Sequence, residues 1–297
     1  MQVEDFVLDE LVEQLESTSR YRERRKSIKA FNSTNPYLRR GLALTPVKFG
    51  ISFTNTPLNQ AGALLHVYKD GSVLLNHGGT EMGQGLLIKV AQVVAAELQI
   101  DIDQVQISST HTGKVPNTSA TAASSGTDLN GMAAQNAART IRRRLTAFAA
   151  THYDVAENEI EFQHGQVRIA DSWMTFSELV LEAYLHRVQL SATGFYRTPK
   201  IWWDAETARG RPFYYFAYGA AVSEVVVDLL TGENRVVAVD ILHDVGRSLN
   251  PAVDAGQIEG GFIQGMGWLT TEEVWWDSDG RLMTHAPSTY KIPVCSD

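Results

Sequence analysis

The sequence contains one cysteine, Cys295, in 297 residues. A lone thiol excludes an internal disulfide and any cysteine cluster for zinc or iron–sulfur, and it makes a reducing, cytoplasmic setting the default expectation. No apolar run approaches the roughly 20 residues that a helical membrane span requires, so no membrane partner is expected. Acidic residues outnumber basic ones, 34 to 26, and a net charge of −8 argues against nucleic acid as the main partner. The N-terminal MQVEDFVLDELVEQLE is acidic and amphipathic, unlike a secretory signal. Familiar catalytic signatures are missing as well. There is no G-x-S-x-G elbow and no H-E-x-x-H, and the eight histidines are scattered without metal-ligand spacing.

What is present is ordinary in bulk and unusual in detail. An apolar content of 44% can build one large domain or two lobes with ample core. The unusual stretch is His77 to Leu98, HGGTEMGQGLLIKVAQVVAAEL. A strand over Ser72–Asn76 leads into Gly78 and Gly79, turns again at Gly83 and Gly85, and becomes a helix with apolar residues at Leu86, Val90, Val93, Val94 and Leu98. Glycines at those turns let the backbone reach positive φ and let another body approach it. The helix start offers unpaired N–H groups and the positive end of a dipole, and Gln84 adds a carboxamide that donates and accepts. This pattern suits a pocket floor for an anionic or strongly hydrogen-bonding group, and a plain tight turn fits it equally. A P-loop would need Gly-Lys-Ser/Thr where Gly83-Gln84-Gly85 stands, and a dinucleotide fingerprint would need glycine where Ile88 stands.

Along the chain, residues 5–32 read as a helix pair or one bent helix, with Phe6, Val7, Leu11 and Leu15 at helical spacing. The basic run Arg20 to Lys29 is either a docking face for an acidic partner or, more simply, a solvated helix face. Arg40–Thr54 is β-rich. Ala63–Asn76 is a hairpin turned at Asp70-Gly71, and Val105–Ser109 is a short strand. Val115–Gly131, VPNTSATAASSGTDLNG, is almost wholly small and polar, and precedes a helix over Met132–Ala150. Such a loop allows close approach of a ligand to the backbone, and a flexible connector fits it too. A hairpin and a helix fill residues 159–188, a strand starts at Leu190, and Arg197–Arg211 is irregular.

A second hairpin over Tyr215–Asp240 runs through a turn into a helix over Val253–Glu273, carrying Gly256-Gln257 and Gly260-Gly261. Hairpin, histidine near a strand end (His77, His243), turn and helix thus occur twice, which suggests an internal repeat with Gln84 and Gln257 in related places. The expected fold is α+β, with two lobes built on repeated β-hairpin, glycine-turn and helix units. Residues 1–188 would form the first lobe and 189–297 the second.

Four motifs in order carry a resemblance: HGGTEMGQG, VPNTSATAASSGTDLNG, SLNPAVDAGQIEGGFIQGMG and PSTYKIP. Together they resemble the molybdopterin-binding part of the xanthine dehydrogenases, in the molybdenum hydroxylase family, over nearly the whole chain from about Arg40. KFGISFT and TAASSGTD are similar to the purine-oxidising branch rather than the aldehyde oxidases. The resemblance implies molybdenum held by a molybdopterin dithiolene with no side chain as direct ligand, which suits a chain without a metal-binding cluster. It implies that Gly83, Gln84, Gly85, Thr121, Ala123, Ser124, Ser125 and Gln257 contact the cofactor, with the Ala123 backbone amide near the metal. Phe53 would stack on the substrate heterocycle and Thr54 would hydrogen-bond its edge. The implied activity is hydroxylation of purines, hypoxanthine and xanthine to urate, with oxygen from water. Electrons would leave through 2Fe-2S clusters and FAD on other segments or subunits of an oligomeric parent.

The family's glutamate base lies in a motif downstream of Tyr-Lys-Ile-Pro, and this sequence runs four residues past Pro293. The catalytic assignment within this chain is therefore none, and the expectation is a fragment of the large subunit, inactive without the remainder of that subunit. Gly126 stands where some members carry serine. An aldehyde or other N-heterocycle hydroxylase, and a non-catalytic module that kept the fold, are the alternatives. The intact MGQG and TAASSG loops weigh against the second of these.

Overall fold

The computed structural model describes residues 6–295. Alternating apolar positions make β2 (Gln60–Val67) and β3 (Val73–His77), which pair antiparallel from Ala63 opposite His77 to Val67 opposite Val73. The apolar stripe of α3 (Leu86–Leu98) buries Leu86, Val90, Val94 and Leu98, and the chain then returns as β4 (Val105–Ile107), parallel to β3. A long helix, α4 (Gly126–Tyr153), presents a ridge of fully buried alanines, Ala133, Ala134, Ala137 and Ala138. The helix begins six residues before Met132, where the small-residue loop was expected to end. Leu129, Asn130 and Gly131 are buried, so packing recruits a segment with weak helix propensity into the helix. A three-stranded meander follows: β5 (Ile160–Gln163), β6 (Gln166–Ile169) and β7 (Ser172–Thr175). It leads into α5 (Phe176–Leu185), whose start is fixed by a Thr175–Glu178 capping box.

The next strand, β8 (Ser191–Arg197), completes a sheet in the order β4-β3-β2-β8. It pairs with β2 along its length, Gln60 opposite Arg197 through His66 opposite Ser191. A lobe boundary was expected at 188/189. Because β8 instead returns to the first sheet, the compact units part elsewhere: one is Gly50–Tyr214, the other combines residues up to Phe49 with those from Tyr215 onward. Strand partners this distant leave no local signal in the sequence. The segment expected to be irregular forms a small hairpin, β9 (Trp202–Asp204) with β10 (Arg209–Arg211).

The split unit holds two N-terminal helices, α1 (Leu8–Thr18) and α2 (Tyr21–Thr34), separated by Arg20 at φ 54. Its sheet runs β1-β11-β12 from β1 (Leu38–Ile51), β11 (Tyr215–Asp228) and β12 (Asn234–Asp244). Leu15 of α1 is buried with Ala220 and Val222. The basic run of α2 serves the fold at one position: Arg24 reaches Glu224 at 2.8 Å and Asp240 at 2.6 Å, and Arg40 also bonds Glu224, which is only 4% exposed. Taking a carboxylate out of water is costly unless such partners meet it. The last helix, α6 (Pro251–Thr270), is capped by Asn250 and buries only Gly267. The hairpin–turn–helix order therefore occurs in both units. Gln84 precedes its helix, whereas Gln257 lies in the second turn of its own.

Gly194 of β8 sits so close to α4 that a β-carbon there would stand 1.9 Å from the Ala133 carbonyl oxygen. The Gly194→Ala variant is expected to lose about 1–3 kcal/mol of stability, measured by urea unfolding, because neither backbone can yield.

Candidate functional site

The antiparallel register puts the entry of β2 and the exit of β3 at the same end of the sheet. Three segments gather there: residues 52–60, 77–86 and 115–125. Gly78 lets the third segment close on the second, and Gly79 lets the first turns of α4 approach it. A β-carbon on Gly78 would stand 2.0 Å from the Thr118 hydroxyl, and one on Gly79 would stand 2.8 Å from the Asn130 amide. Gly62 of β2 likewise admits the Pro116 carbonyl, which a β-carbon would meet at 2.6 Å. Polar bonds fasten the junction. Thr80 N–H donates to Thr121 Oγ1 (2.9 Å), Thr110 Oγ1 donates to the Gly79 carbonyl (2.9 Å), and Asn117 Nδ2 donates to Gln60 Oε1 (2.9 Å). Thr121 and the Gln84 turn, far apart in sequence, thus meet through Thr80.

His77 is 3% exposed at the exit of β3. Its Nδ1 accepts the Gly79 N–H at 3.0 Å, so the neutral ring carries its proton on Nε2, and that buried atom has no hydrogen-bond partner among the described residues. The ring is therefore hydrogen-bonded at one nitrogen only. Burial pushes the imidazole down to about 4 from 6.5.

Within the turn itself, Gly83 and Gly85 take positive φ, 97° and 75°. Gln84 folds back: Nε2 donates to the Thr80 carbonyl at 2.9 Å and Oε1 accepts the Met82 N–H at 2.6 Å. The N–H groups at the start of α3, expected to face a bound anion, are taken by the Glu81 carboxylate. Its Oε1 accepts from Gly83 and Gly85 at 2.9 Å each, and its Oε2 accepts from Leu87 at 3.0 Å. Partial burial pushes this carboxyl up, but the N–H bonds from Leu87, Gly85, Gly83 and Met82 together hold it below the usual carboxylate range. Glu81 was not singled out in the sequence, although an acidic residue just ahead of a helix is a recognisable capping signal.

In the third segment Ala123 and Ser124 both adopt left-handed φ, 55° and 54°. Each costs on the order of 1–3 kcal/mol, a strain that persists where surrounding structure enforces it. Ser124 is exposed, whereas Ser125 is buried and donates its hydroxyl to the Ala122 carbonyl at 3.2 Å. In the first segment Phe53 is half-buried and Thr54 exposed. The carboxamide of Asn59, itself 2% exposed, clamps the Phe53 backbone by accepting its N–H at 2.8 Å and donating to its carbonyl at 2.9 Å. Nothing local in the sequence marks Asn59. Gln257 belongs to the split unit, on an exposed face of α6.

These groups offer hydrogen bonds and backbone dipoles but no metal-ligating cluster: among the described residues, no three His, Cys, Asp or Glu side chains lie together so as to hold an ion. A group bringing its own metal ligands fits them. The orphaned His77 Nε2, the open space over Gly83, where a β-carbon would meet nothing within 4 Å, and the exposed Ser124 hydroxyl are the features that such a group could use.

His77 generates a pH prediction. Its folded pKa lies near 4 and its unfolded value near 6.5, so in that window the unfolded chain binds a proton that the folded chain resists, and stability falls as pH drops from about 6.5 to about 4. In His77→Asn the Oδ1 can replace Nδ1 as acceptor for Gly79 and does not titrate. Urea unfolding at pH 7 and pH 4 should show the wild type losing about 3 kcal/mol more than the variant; parallel losses would refute the assignment.

The sequence matches the molybdopterin cofactor-binding domain family over residues 14–297. It is 49% identical over 292 residues to xanthine dehydrogenase/oxidase of Felis catus and 46% identical over 292 residues to xanthine dehydrogenase of Oryza sativa subsp. japonica. Those alignments cover 98% and 96% of this chain but 20% of each relative, so the chain spans about a fifth of the length of the curated relatives it matches. Among solved structures, the reconstituted CO dehydrogenase from Oligotropha carboxidovorans superposes with TM-score 0.84 at 21% identity, over 97% of this chain and 37% of that one. Quinoline 2-oxidoreductase from Pseudomonas putida 86 superposes with TM-score 0.81 at 23% identity, over 96% and 37%. These superpositions establish a shared fold. With the family matched across almost its entire length and the loops of the first sheet gathered at one end, the chain belongs to the molybdopterin cofactor-binding domain family.

Proposed function

We propose that this chain is the cofactor-binding segment of a xanthine dehydrogenase-type molybdenum hydroxylase that acts on purines in their catabolism, converting hypoxanthine and xanthine to urate. The observation that carries this reading is the convergence of the 52–60, 77–86 and 115–125 segments at one sheet end, in a chain nearly half identical to xanthine dehydrogenases. When bound, the molybdenum–molybdopterin supplies the redox chemistry of hydroxylation. The chain's own residues supply placement. Gln84 would contribute its second amide hydrogen, the Ala123 backbone amide would stand near the metal, and Thr121, Ser124 and Ser125 would hold the pterin. Phe53, held by Asn59, offers a flat apolar face to a heterocycle, and Thr54 a hydroxyl to its edge.

The remaining parts of the activity lie with partners. We assign the FAD and 2Fe-2S centres to other segments or subunits of an oligomeric, cytoplasmic parent, and the general base to a residue outside this chain. A partner surface is supported on α6, where Trp268 and Leu269 are 77% and 86% exposed. Glycines 256, 260, 261 and 265 of that helix each have open space where a side chain would stand. A face of this kind suits close packing by the remainder of the molybdopterin subunit. No helix among the described residues is long and apolar enough to cross a membrane.

Elemental analysis and xanthine turnover test the reading, on this chain and on the longest natural polypeptide that contains it. Molybdenum and urate formation are expected in the longer protein together with its partners, and no xanthine turnover in this chain alone. A folded longer protein without molybdenum, or turnover by this chain by itself, would overturn it.

A further inference from the structure

The amides of Gly83, Gly85 and Leu87 would be the natural place for a bound anion at the start of α3, yet an internal carboxylate already fills them. The manner of filling is specific. One oxygen of Glu81 bridges the N–H groups on either side of Gln84, and the other oxygen takes the N–H of Leu87 in the first turn of the helix. Gln84 is therefore suspended between two peptide groups bound to a single atom. Its carboxamide is fixed at both ends as well, with Nε2 on the Thr80 carbonyl and Oε1 on the Met82 N–H. Turning the amide over would set NH2 against N–H and oxygen against oxygen, so one orientation is enforced. What remains is one amide hydrogen on Nε2, in a turn whose outer side is open at Gly83.

We infer that Glu81 is a positioning residue: by occupying the N-terminal amides of α3 it fixes the Thr80–Gly85 turn, and with it the direction in which Gln84 presents its remaining amide hydrogen to the cofactor. This inference rests on the proposed reading of the site as a molybdopterin site. It separates two tasks that one glycine turn could otherwise be thought to share. The helix start holds the turn, and the turn, through Gln84, meets the ligand. Glutamine at position 81 could keep one acceptor oxygen for Gly83 and Gly85, but it would place an NH2 against the Leu87 N–H and remove the charge.

The test uses the longest natural polypeptide containing this chain, as wild type, Glu81→Gln, Gln84→Ala and the double variant. Molybdenum per polypeptide is read by elemental analysis, pterin by fluorescence after oxidative release, and folding by thermal unfolding. Backbone hydrogen exchange over residues 81–87 gives a further readout that needs no cofactor. Exchange in Glu81→Gln should rise on the order of tenfold for this segment, as expected when a charge-assisted bond is lost. Cofactor content should fall severalfold in Glu81→Gln and in Gln84→Ala, and the double variant should hold no less than Gln84→Ala alone. Any loss of thermal stability caused by the Glu81 change should be the same whether or not Gln84 is present. Full cofactor retention by Glu81→Gln would overturn the inference. So would a further loss of cofactor in the double variant, since Glu81 would then act on stability rather than through Gln84. A wild-type protein that folds but holds no molybdopterin would overturn the underlying reading itself, and is told apart from the other outcomes by the wild-type measurement.

Discussion

Antiparallel pairing of Gln60–Val67 with Val73–His77 is the constraint on which the candidate site depends. It brings the entry of one strand and the exit of the next to a common edge, and each opens into a loop there. The crossover through Leu86–Leu98 carries the chain to a parallel neighbour at Val105–Ile107, and the loop after it leads back across the same edge. Glycine makes this crowding possible. Where Gly62 and Gly78 stand, a side chain would collide with the small-residue loop, and where Gly79 stands, with Leu86 of α3 and Asn130 of α4. The glycines next to the His77 turn therefore serve close packing, and those further on, Gly83 and Gly85, serve the positive φ of the turn.

The site is largely satisfied from within. Glu81 meets the amides at the start of α3, Asn59 meets the Phe53 backbone with both ends of its carboxamide, and Thr121 meets Thr80. A buried donor or acceptor left unpaired costs roughly 1–3 kcal/mol, so this self-satisfaction lets the loops keep one arrangement before any ligand arrives. Against that background the exceptions stand out. The buried Nε2 of His77 has no partner among the described residues, and Ala123 and Ser124 hold left-handed backbone without the freedom of glycine. Both lie in the segments that gather at the sheet end, where stored strain and unspent donors suit ligand placement.

The split unit rests on a different device. Glu224, 4% exposed, is held by Arg24 from α2 and Arg40 from β1, and Arg24 also reaches Asp240 on β12. One carboxylate thus ties α2 and β1 to a strand some 200 residues later in the chain. Pairs of this kind hold specific elements together, and breaking one by removing a single partner leaves a charge stranded in the interior. In the same unit α6 buries little and leaves its glycine positions open, the opposite economy to that of α3.

The sequence by itself determined the hairpin over residues 63–76, the hairpin from Tyr215, the amphipathic α3 and the helical N-terminus. Each of these follows from periodicity or turn chemistry within about twenty neighbouring residues. It also marked Gln84, Thr121, Ala123 and Ser124 through the motifs that carry the resemblance. Tertiary structure alone decided that β8 joins the first sheet rather than opening a second lobe, because strand pairing across more than a hundred residues has no local signature. It decided that α4 starts at Gly126, since burial against α3 and the sheet overrides weak propensity. It also decided which polar groups are already spent. Glu81, Asn59 and His77 owe their roles to which N–H or carbonyl lies within 3 Å, and that is settled only when the three loops have met.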